Sequence, residues 1–244
     1  MNKYILLLAF AAISSVTSAC DKNNPIGKGG KSGDSFVRQE WTGAQIAQTW
    51  EYVHQDTCTT GPAFYTKEDI LYITTRANTA DRPKLFAPQI YLDGKYTWKT
   101  YIPEVGEGDR TSVGSWIYCD DHHEIDFECG WGTDETRRKA GAGVGDLVAC
   151  MTNQDFPFSS SYIRITPGWH EFGITLDIVN GFYYIHWLID GTEYKSLQTS
   201  FGPEQAAFRI FVSVENLNFI GMHPATQDNT GAFEWVKFKG HTTE

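Results

Sequence analysis

Three carboxylates alternate with apolar side chains in the segment 123–128, which reads His-Glu-Ile-Asp-Phe-Glu. In a β-strand successive side chains point to opposite faces, so Glu124, Asp126 and Glu128 share one face and the apolar residues share the other. Like charges side by side destabilise a sheet. An acidic row without Lys or Arg therefore indicates a chemical role for these acids rather than an ordinary solvent-exposed strand face. Such crowding favours one protonated carboxyl beside an ionised one, which is the arrangement that glycosidases use.

The spacing of the two glutamates predicts the stereochemistry of that reaction. Two residues rise roughly 6.7 Å along a strand, so the Cα atoms of Glu124 and Glu128 lie about 13 Å apart. If each side chain reaches inward by about 3.5 to 4 Å, the carboxyls approach to about 5 to 6 Å. That separation is near the value for a retaining glycosidase and short of the inverting range.

The segment 124–128, EIDFE, resembles the catalytic signature of glycoside hydrolase family 16, in the E-x-D-x-E form of lichenases and xyloglucan transglycosylases. The resemblance implies that Glu124 is the nucleophile, Asp126 its electrostatic partner, and Glu128 the general acid/base. It also implies an all-β fold, a concanavalin A-like jelly-roll β-sandwich of two antiparallel sheets, whose concave sheet carries the acids across an open cleft. The similarity runs in order from about Trp50 to Lys239.

Neighbouring strands must position this segment. Residues 113–118 resemble the family's strand before the catalytic one, and residues 147–153 should return antiparallel to it. Residues 208–216 resemble the strand that faces the acids across the cleft. Asp-Gly pairs predict turns at residues 93–94 and 190–191.

Several polar and aromatic residues on or near these strands are candidates for substrate binding. They are Trp116, Trp131, Tyr101, Lys99, Ser213, Glu215 and His123. A flat aromatic face suits a pyranose ring, but packing explains Trp116 and Trp131 equally well. Glu215 stands where lichenases carry Trp, so lichenase specificity is not implied. His123 is either a hydrogen-bonding neighbour of the nucleophile or a loop residue.

A metal centre is the weaker interpretation of the acidic segment. His122 would share a face with the three acids, and His with carboxylates can bind metals. However, alternate residues along one strand rarely surround an ion. We therefore expect no metal ligand and no cofactor here, and leave open a structural calcium on the far sheet.

Composition bounds the class of protein. A length of 244 residues, a 14% aromatic content and a net charge of −10 fit one all-β domain that binds neither nucleic acid nor, by charge, a membrane. Residues 133–146 are predicted to be a polar loop. Arg137, Arg138 and Lys139 form a basic cluster in it, which is either solvated or receives an acidic or sulfated substrate. The expected partner is a polysaccharide, and the protein is expected to be a monomer.

The N-terminus has the pattern of an export signal. Lys3, the apolar stretch 5–13 and small residues before Cys20 resemble a bacterial lipoprotein signal, with a plain secretory signal as the alternative. This predicts a signal peptide over residues 1–20, a lipidated Cys20, a flexible tether over 21–35 and a catalytic domain over 36–244. The protein is then an exported lipoprotein, held in the cell envelope through its lipid alone, in the periplasm or at the cell surface.

Four further cysteines suit an oxidising compartment. Cys58, Cys119, Cys129 and Cys150 allow three pairings, and spacing does not choose among them. Cys129 shares the apolar face of the acidic segment, so a free buried thiol is an equal alternative.

Taken together, the residues and the resemblance predict retaining, endo-acting hydrolysis of internal β-glycosidic bonds in a polysaccharide, a β-glucan or a galactan. The alternatives are a lectin-like lipoprotein that binds glycan without cutting it, and a transglycosylase in which a sugar replaces water as the acceptor.

Overall fold

Two stacked antiparallel β-sheets make up the structure, which is a computed structural model that describes residues 35–55 and 62–243. The signal peptide, Cys20, residues 21–34 of the tether and Cys58 lie outside the described residues. Among the residues that the structure does describe, neither helix has the length and apolar character to span a bilayer.

Strands and helices are numbered in chain order. The eight-stranded sheet contains β1 (Ser35–Thr42), β3 (Phe64–Lys67), β4 (Ile70–Thr75), β6 (Tyr91–Ile102), β11 (Gly168–Val179), β12 (Phe182–Ile189), β13 (Thr192–Gln198) and β15 (Asn229–Thr242). The seven-stranded sheet contains β2 (Glu51–Gln55), β5 (Arg82–Phe86), β7 (Thr111–Asp120), β8 (His123–Gly130), β9 (Leu147–Asn153), β10 (Ser159–Ile165) and β14 (Arg209–Asn216). The two helices are α1 (Gly43–Thr49) and α2 (Asp134–Ala140).

Strand order confirms the predicted jelly-roll sandwich. The eight-stranded sheet runs β13-β12-β11-β6-β15-β4-β3, with β1 also paired to β15, and the seven-stranded sheet runs β10-β9-β8-β7-β14-β5-β2. Strand β8 therefore lies inside its sheet, with β7 and β9 on either side, and β9 returns antiparallel as expected. Strand β14 lies in the same sheet, beyond β7.

Aromatic side chains join the two sheets. Phe127 of β8 packs on Phe172 of β11, with ring centroids 5.0 Å apart, and both are almost fully buried. Burying each such ring contributes on the order of 2 kcal/mol. The Trp187 indole, also in the core, donates a 3.1 Å hydrogen bond to the backbone oxygen of Asp126. The core therefore holds the acidic strand in place from behind.

The predicted turn at residues 93–94 is wrong, because β6 runs straight through it. Gly94 (φ 140°) lies opposite Gly240 of the paired strand β15, so close that a Cβ there would lie 2.5 Å from the carbonyl oxygen of Lys239. Here glycine permits a close approach of two strands and not a chain reversal. The other Asp-Gly pair does form the expected turn: Asp190 and Gly191 both have positive φ between β12 and β13.

The predicted loop 133–146 contains helix α2. The Thr133 side chain caps its first turn by accepting a hydrogen bond from the Thr136 N–H, and Gly141 ends it in the left-handed region, with φ 66°. Acidic residues occupy the first turn and the basic cluster occupies the last, which suits the helix dipole.

Candidate active site

The three acids of β8 lie together on the outer face of the seven-stranded sheet. In register, Tyr118 and Trp116 of β7 lie opposite Glu124 and Asp126. Residues paired across two strands share a face, and the intervening Ile125 and Phe127 are buried in the core, as alternation predicts. Glu124 is partly exposed, whereas Asp126 and Glu128 are only 3% and 6% exposed.

Each acid accepts a hydrogen bond from a donor on a neighbouring strand or, for Glu124, from Gln154, which directly follows β9. The Gln154 amide donates to Glu124 Oε1 at 2.7 Å, and the Thr152 N–H donates to Asp126 Oδ1 at 3.2 Å. On the other side, the Ser112 hydroxyl donates to Glu128 Oε2. These donors hold the carboxyls in one orientation.

Burial makes the cluster hold protons near neutral pH. It raises the pKa of Glu128 to about 8, with the charge of Glu215 adding to the effect. Burial also raises the pKa of Glu124, followed by repulsion from Asp126, and raises the pKa of Asp126, followed by repulsion from Glu128. Acids this close do not all ionise together, so at least one remains an acid where free carboxyls are charged.

Glu215, a predicted substrate-binding residue, lies on the acid face but is engaged in ion pairs. Its Oε2 accepts from Arg82 Nε at 2.6 Å and from Lys84 Nζ at 2.8 Å. Burial by itself would raise the pKa of Glu215, but the two cations outweigh it and lower that pKa, so Glu215 is a carboxylate. Burial lowers the pKa of the fully buried Lys84. Neither cation was a candidate site residue from the sequence, although Arg82 and Lys84 alternate along one strand and so share a face.

Trp116 and Ser213 also lie on this face, where they contact each other. The Trp116 indole N–H donates to Ser213 Oγ at 3.0 Å, and its ring stacks on Phe211 with centroids 4.0 Å apart. Phe86 and Tyr118 complete this aromatic cluster. Because Trp116 is only 3% exposed, its ring is part of the packed floor beside the acids.

Trp131 and His123 take other positions. The Arg137 guanidinium lies over the Trp131 ring, 3.9 Å from its centroid, and the ring packs against the main core. His123 alternates away from Glu124, where its Nδ1 is 2.7 Å from Asp120 Oδ1 and its ring contacts Phe201. Neither side chain touches the three acids through any of these contacts.

The prediction that Lys99 and Tyr101 line the cleft needs correction. Both belong to β6, in the eight-stranded sheet, and alternate with the buried Trp98 and Thr100. They therefore point outward on the opposite side of the sandwich from the acids. Alternation showed which residues share a face, but it could not show to which sheet β6 belongs.

A trio of potential metal ligands near β8 does not form a convincing centre. Within the described part of the chain, ligand atoms of Cys119, Asp120 and His123 lie within 4.8 Å of one another. Cys119 is disulfide-bonded, so its sulfur is not a thiolate ligand, and His123 already pairs with Asp120. Cys129 and Cys150 are free and buried. For Cys129 this is the expected alternative of a free buried thiol.

An open pocket of about 410 Å³ lies apart from the acids, lined by residues of β10 to β13 that include Arg164 and Tyr194. Its His170 contacts Asp190 Oδ2 through Nδ1 and the Thr166 carbonyl oxygen through Nε2. Both ring nitrogens are thus engaged, which leaves no imidazole nitrogen for proton transfer.

Comparison with known proteins finds similarity in structure and not in sequence. No protein-family model and no curated protein sequence matches the chain. Among solved structures, a Crh5 transglycosylase in complex with NAG has a TM-score of 0.59 and 15% identity over 85% of this chain and 86% of its own. A prokaryotic β-1,3-1,4-glucanase (lichenase) derived from a mouse hindgut metagenome has a TM-score of 0.57 and 12% identity over 84% of this chain and 100% of its own.

The κ-carrageenase from Pseudoalteromonas carrageenovora, solved with an oligotetrasaccharide of κ-carrageenan, has a TM-score of 0.58 and 12% identity over 89% of this chain and 98% of its own. At such identities the likeness concerns the fold. The chain has a glycoside hydrolase family 16-like fold, as the resemblance of its acidic segment implied.

Proposed function

We propose that this chain, with its family 16-like fold, is a retaining endo-acting glycoside hydrolase that cleaves internal β-glycosidic bonds of a polysaccharide. The observation that carries the proposal is the row of three carboxylates on one face of β8, in which burial keeps Glu128 protonated near neutral pH. The similar lichenase and κ-carrageenase support a polysaccharide substrate, either a β-glucan or a galactan.

In the first step Glu124 attacks the anomeric carbon and forms a glycosyl-enzyme ester. Although burial and Asp126 raise the pKa of Glu124, the charges of Lys84 and Arg82 act in the opposite direction and favour Glu124 as the ionised member of the cluster. The Gln154 amide occupies Oε1 and leaves Oε2 for the attack. As the glycosidic bond breaks, its oxygen takes the proton of Glu128. Because Ser112 donates to Glu128 Oε2, this proton is expected on Oε1.

In the second step a water molecule gives a proton to Glu128 and attacks the anomeric carbon. The ester breaks, Glu124 is released as a carboxylate, and the sugar leaves with retained configuration. Asp126, between the two glutamates and held by the Thr152 N–H, interacts electrostatically with Glu124 and helps to set which carboxyl of the cluster keeps the proton. If a sugar hydroxyl replaces water, the same steps give transglycosylation, a variant that the similarity to a transglycosylase makes worth testing.

The direct test is the release of reducing ends by the full chain from mixed-linkage β-glucan, laminarin, xyloglucan and κ-carrageenan. Glu124→Gln and Glu128→Gln should each lower kcat by at least about 10³-fold, because one removes the nucleophile and the other the acid. Glu193→Gln, at an exposed acid of β13, is the matched control and should keep full activity. NMR of the first product anomer tests retention, and a labelled oligosaccharide acceptor separates hydrolysis from transfer.

Absence of turnover on all four polymers, together with unchanged binding by Glu124→Gln, would contradict the enzymatic proposal. It would favour the lectin-like alternative, since a pure binder does not need the nucleophile.

Export, lipidation and cofactor independence are further proposals. Labelled fatty acid should be incorporated into the chain and lost in Cys20→Ser if Cys20 carries lipid. Activity should survive treatment with EDTA, and a loss of thermal stability under EDTA would instead point to the structural calcium.

A further inference from the structure

The outer face of the eight-stranded sheet carries a line of residues that are paired directly across five strands. Tyr65 of β3 lies opposite Tyr72 of β4, Tyr72 opposite Ala232 of β15, Ala232 opposite Tyr101 of β6, and Tyr101 opposite Trp169 of β11. Paired residues share a face, so these five side chains form one row about 19 Å long, called the aromatic row below. Its ends are open, with Tyr65 53% and Trp169 38% exposed.

Ala232, which is only 1% exposed, divides the aromatic row into two pairs of rings. Tyr65 and Tyr72 stack with centroids 4.9 Å apart and planes within 6°, and Tyr101 contacts Trp169 at 5.5 Å. The strands of Tyr72 and Tyr101 are two positions apart, or roughly 9.6 Å, and the covered Ala232 lies between them. The exposed rings on either side of Ala232, and not the covered alanine itself, are therefore the surfaces on which sugar rings can stack.

Cations lie beside the aromatic row on the same face. Arg38 of β1 lies opposite Lys239 of β15, and Lys239 lies opposite Lys95 of β6, although like charges directly opposite destabilise a sheet. Lys237 and Lys99 lie between this cationic line and the aromatic row. The five residues Arg38, Lys95, Lys99, Lys237 and Lys239 are called the basic patch below.

Two acids lie directly across the strands from the five cations of the basic patch, so they balance its charge only in part. Glu40 and Glu171 lie across the strands from Lys237 and Lys99, yet no described carboxylate forms an ion pair with any cation of the patch. In a chain with a net charge of −10, five such cations on one sheet face indicate a negatively charged partner.

We propose that the aromatic row and the basic patch form a second glycan-binding surface, which takes an anionic polysaccharide with carboxylate or sulfate groups. The rings stack on the apolar faces of the sugars, while the lysines pair with the acid groups. The surface lies on the opposite side of the sandwich from Glu124 and its neighbours. It goes beyond the proposed hydrolysis and stands without it, because binding here requires no turnover.

The experiment is calorimetric titration of the full chain carrying Glu124→Gln, so that no probe is cut. The probes are κ-carrageenan, polygalacturonate, neutral laminarin and phosphatidylglycerol vesicles. Tyr101→Ala/Trp169→Ala should weaken binding of the anionic polymers at least 10-fold. Lys99→Gln/Lys237→Gln should weaken it at least 5-fold and flatten its dependence on salt.

Matched controls remove an aromatic and a cation elsewhere. Tyr194→Ala, at an exposed tyrosine of β13, and Arg164→Gln, at an exposed arginine of β10 in the other sheet, should bind within twofold of the parent. Trp169→Ala alone, at an exposed position, keeps the test valid if the double variant fails to fold. Retained hydrolysis of short oligosaccharides by Trp169→Ala, without the Glu124 substitution, distinguishes this surface from the active site.

Equal binding by the parent and the aromatic variants would overturn the proposal, as would laminarin binding as tightly as the anionic polymers. Binding of the vesicles without binding of any polymer would instead assign the surface to a membrane.

Discussion

Glu128 keeps its proton because its carboxyl is almost fully buried among other acids, and Ser112 is the side chain that moderates this effect. The hydroxyl of Ser112 donates to Glu128 Oε2 and so lowers the pKa that burial raises to about 8. A general acid needs a pKa near the pH at which it works, so this one hydrogen bond tunes the proposed chemistry.

Ser112→Ala tests that role. Loss of the donor should raise the pKa of Glu128 above about 8, and the alkaline limb of kcat/KM against pH should move upward by on the order of one pH unit. Ser196→Ala, on β13, is the control and should leave the profile unchanged. An unmoved or downward-shifted limb in Ser112→Ala would show that Glu128 is not the titrating acid.

Glu215 has a structural role at the same scale, because both Lys84 and Arg82 donate to one of its oxygens inside the protein. Glu215→Gln removes the charge that they share and should lower the free energy of unfolding by about 3 kcal/mol. Glu193→Gln, at an exposed acid, should change it by less than about 0.5 kcal/mol. Urea denaturation measures both, and equal small losses would mean that the ion pairs contribute little.

At the scale of the elements, glycines decide how closely paired strands approach each other. Gly94→Ala places a Cβ 2.5 Å from the Lys239 carbonyl oxygen at φ 140°, so it should destabilise the fold by about 2 kcal/mol or more. Gly173→Ala, in the middle of β11, meets Leu188 Cβ at 3.4 Å and should stay within about 1 kcal/mol of the parent. Similar midpoints for the two variants in chemical denaturation would argue against a close approach of Gly94 to β15.

Helix α2 shows what a local pattern can and cannot predict. A threonine cap, acids in the first turn, basic residues in the last and a glycine after them are all readable in the sequence, yet the segment was predicted to be a loop. Its seven residues bury no side chain, so it lacks the apolar periodicity by which longer helices are found. The capping residues, considered alone, would have located it.

For the whole molecule, buried acids couple stability to pH. The folded chain holds the Glu128 proton up to about pH 8, whereas an ordinary glutamate releases it near 4.5. The unfolded state therefore binds fewer protons between these values, so this contribution is complete below about pH 4.5 and is lost as the pH rises toward 8. Glu124 and Asp126, whose pKa values are also raised, act in the same direction.

Denaturation at pH 5, 6, 7 and 8 should accordingly show the free energy of unfolding falling with pH. Glu128→Gln should reduce that slope by up to about 1.4 kcal/mol per pH unit, the value for one proton. Glu204→Gln, at an exposed acid before β14 that forms no ion pair among the described residues, is the control and should leave the slope unchanged. A parent protein that gains stability toward pH 8 would contradict a protonated cluster.

The sequence by itself determined the local chemistry. Alternation along 124–128 placed the three acids on one face because a strand has a period of two, and it put Ile125 and Phe127 on the opposite face, which is buried in the core. The order of strand-like segments and their resemblance to a known family then indicated a two-sheet sandwich.

Only the tertiary structure decided which strands became neighbours. It brought Arg82, Lys84 and Glu215 together from positions more than 130 residues apart, and it put Lys99 and Tyr101 on the opposite surface from the acids. The physical reason is that side-chain alternation is a property of one strand, whereas the sheet that a strand joins depends on the packing and pairing of the whole chain.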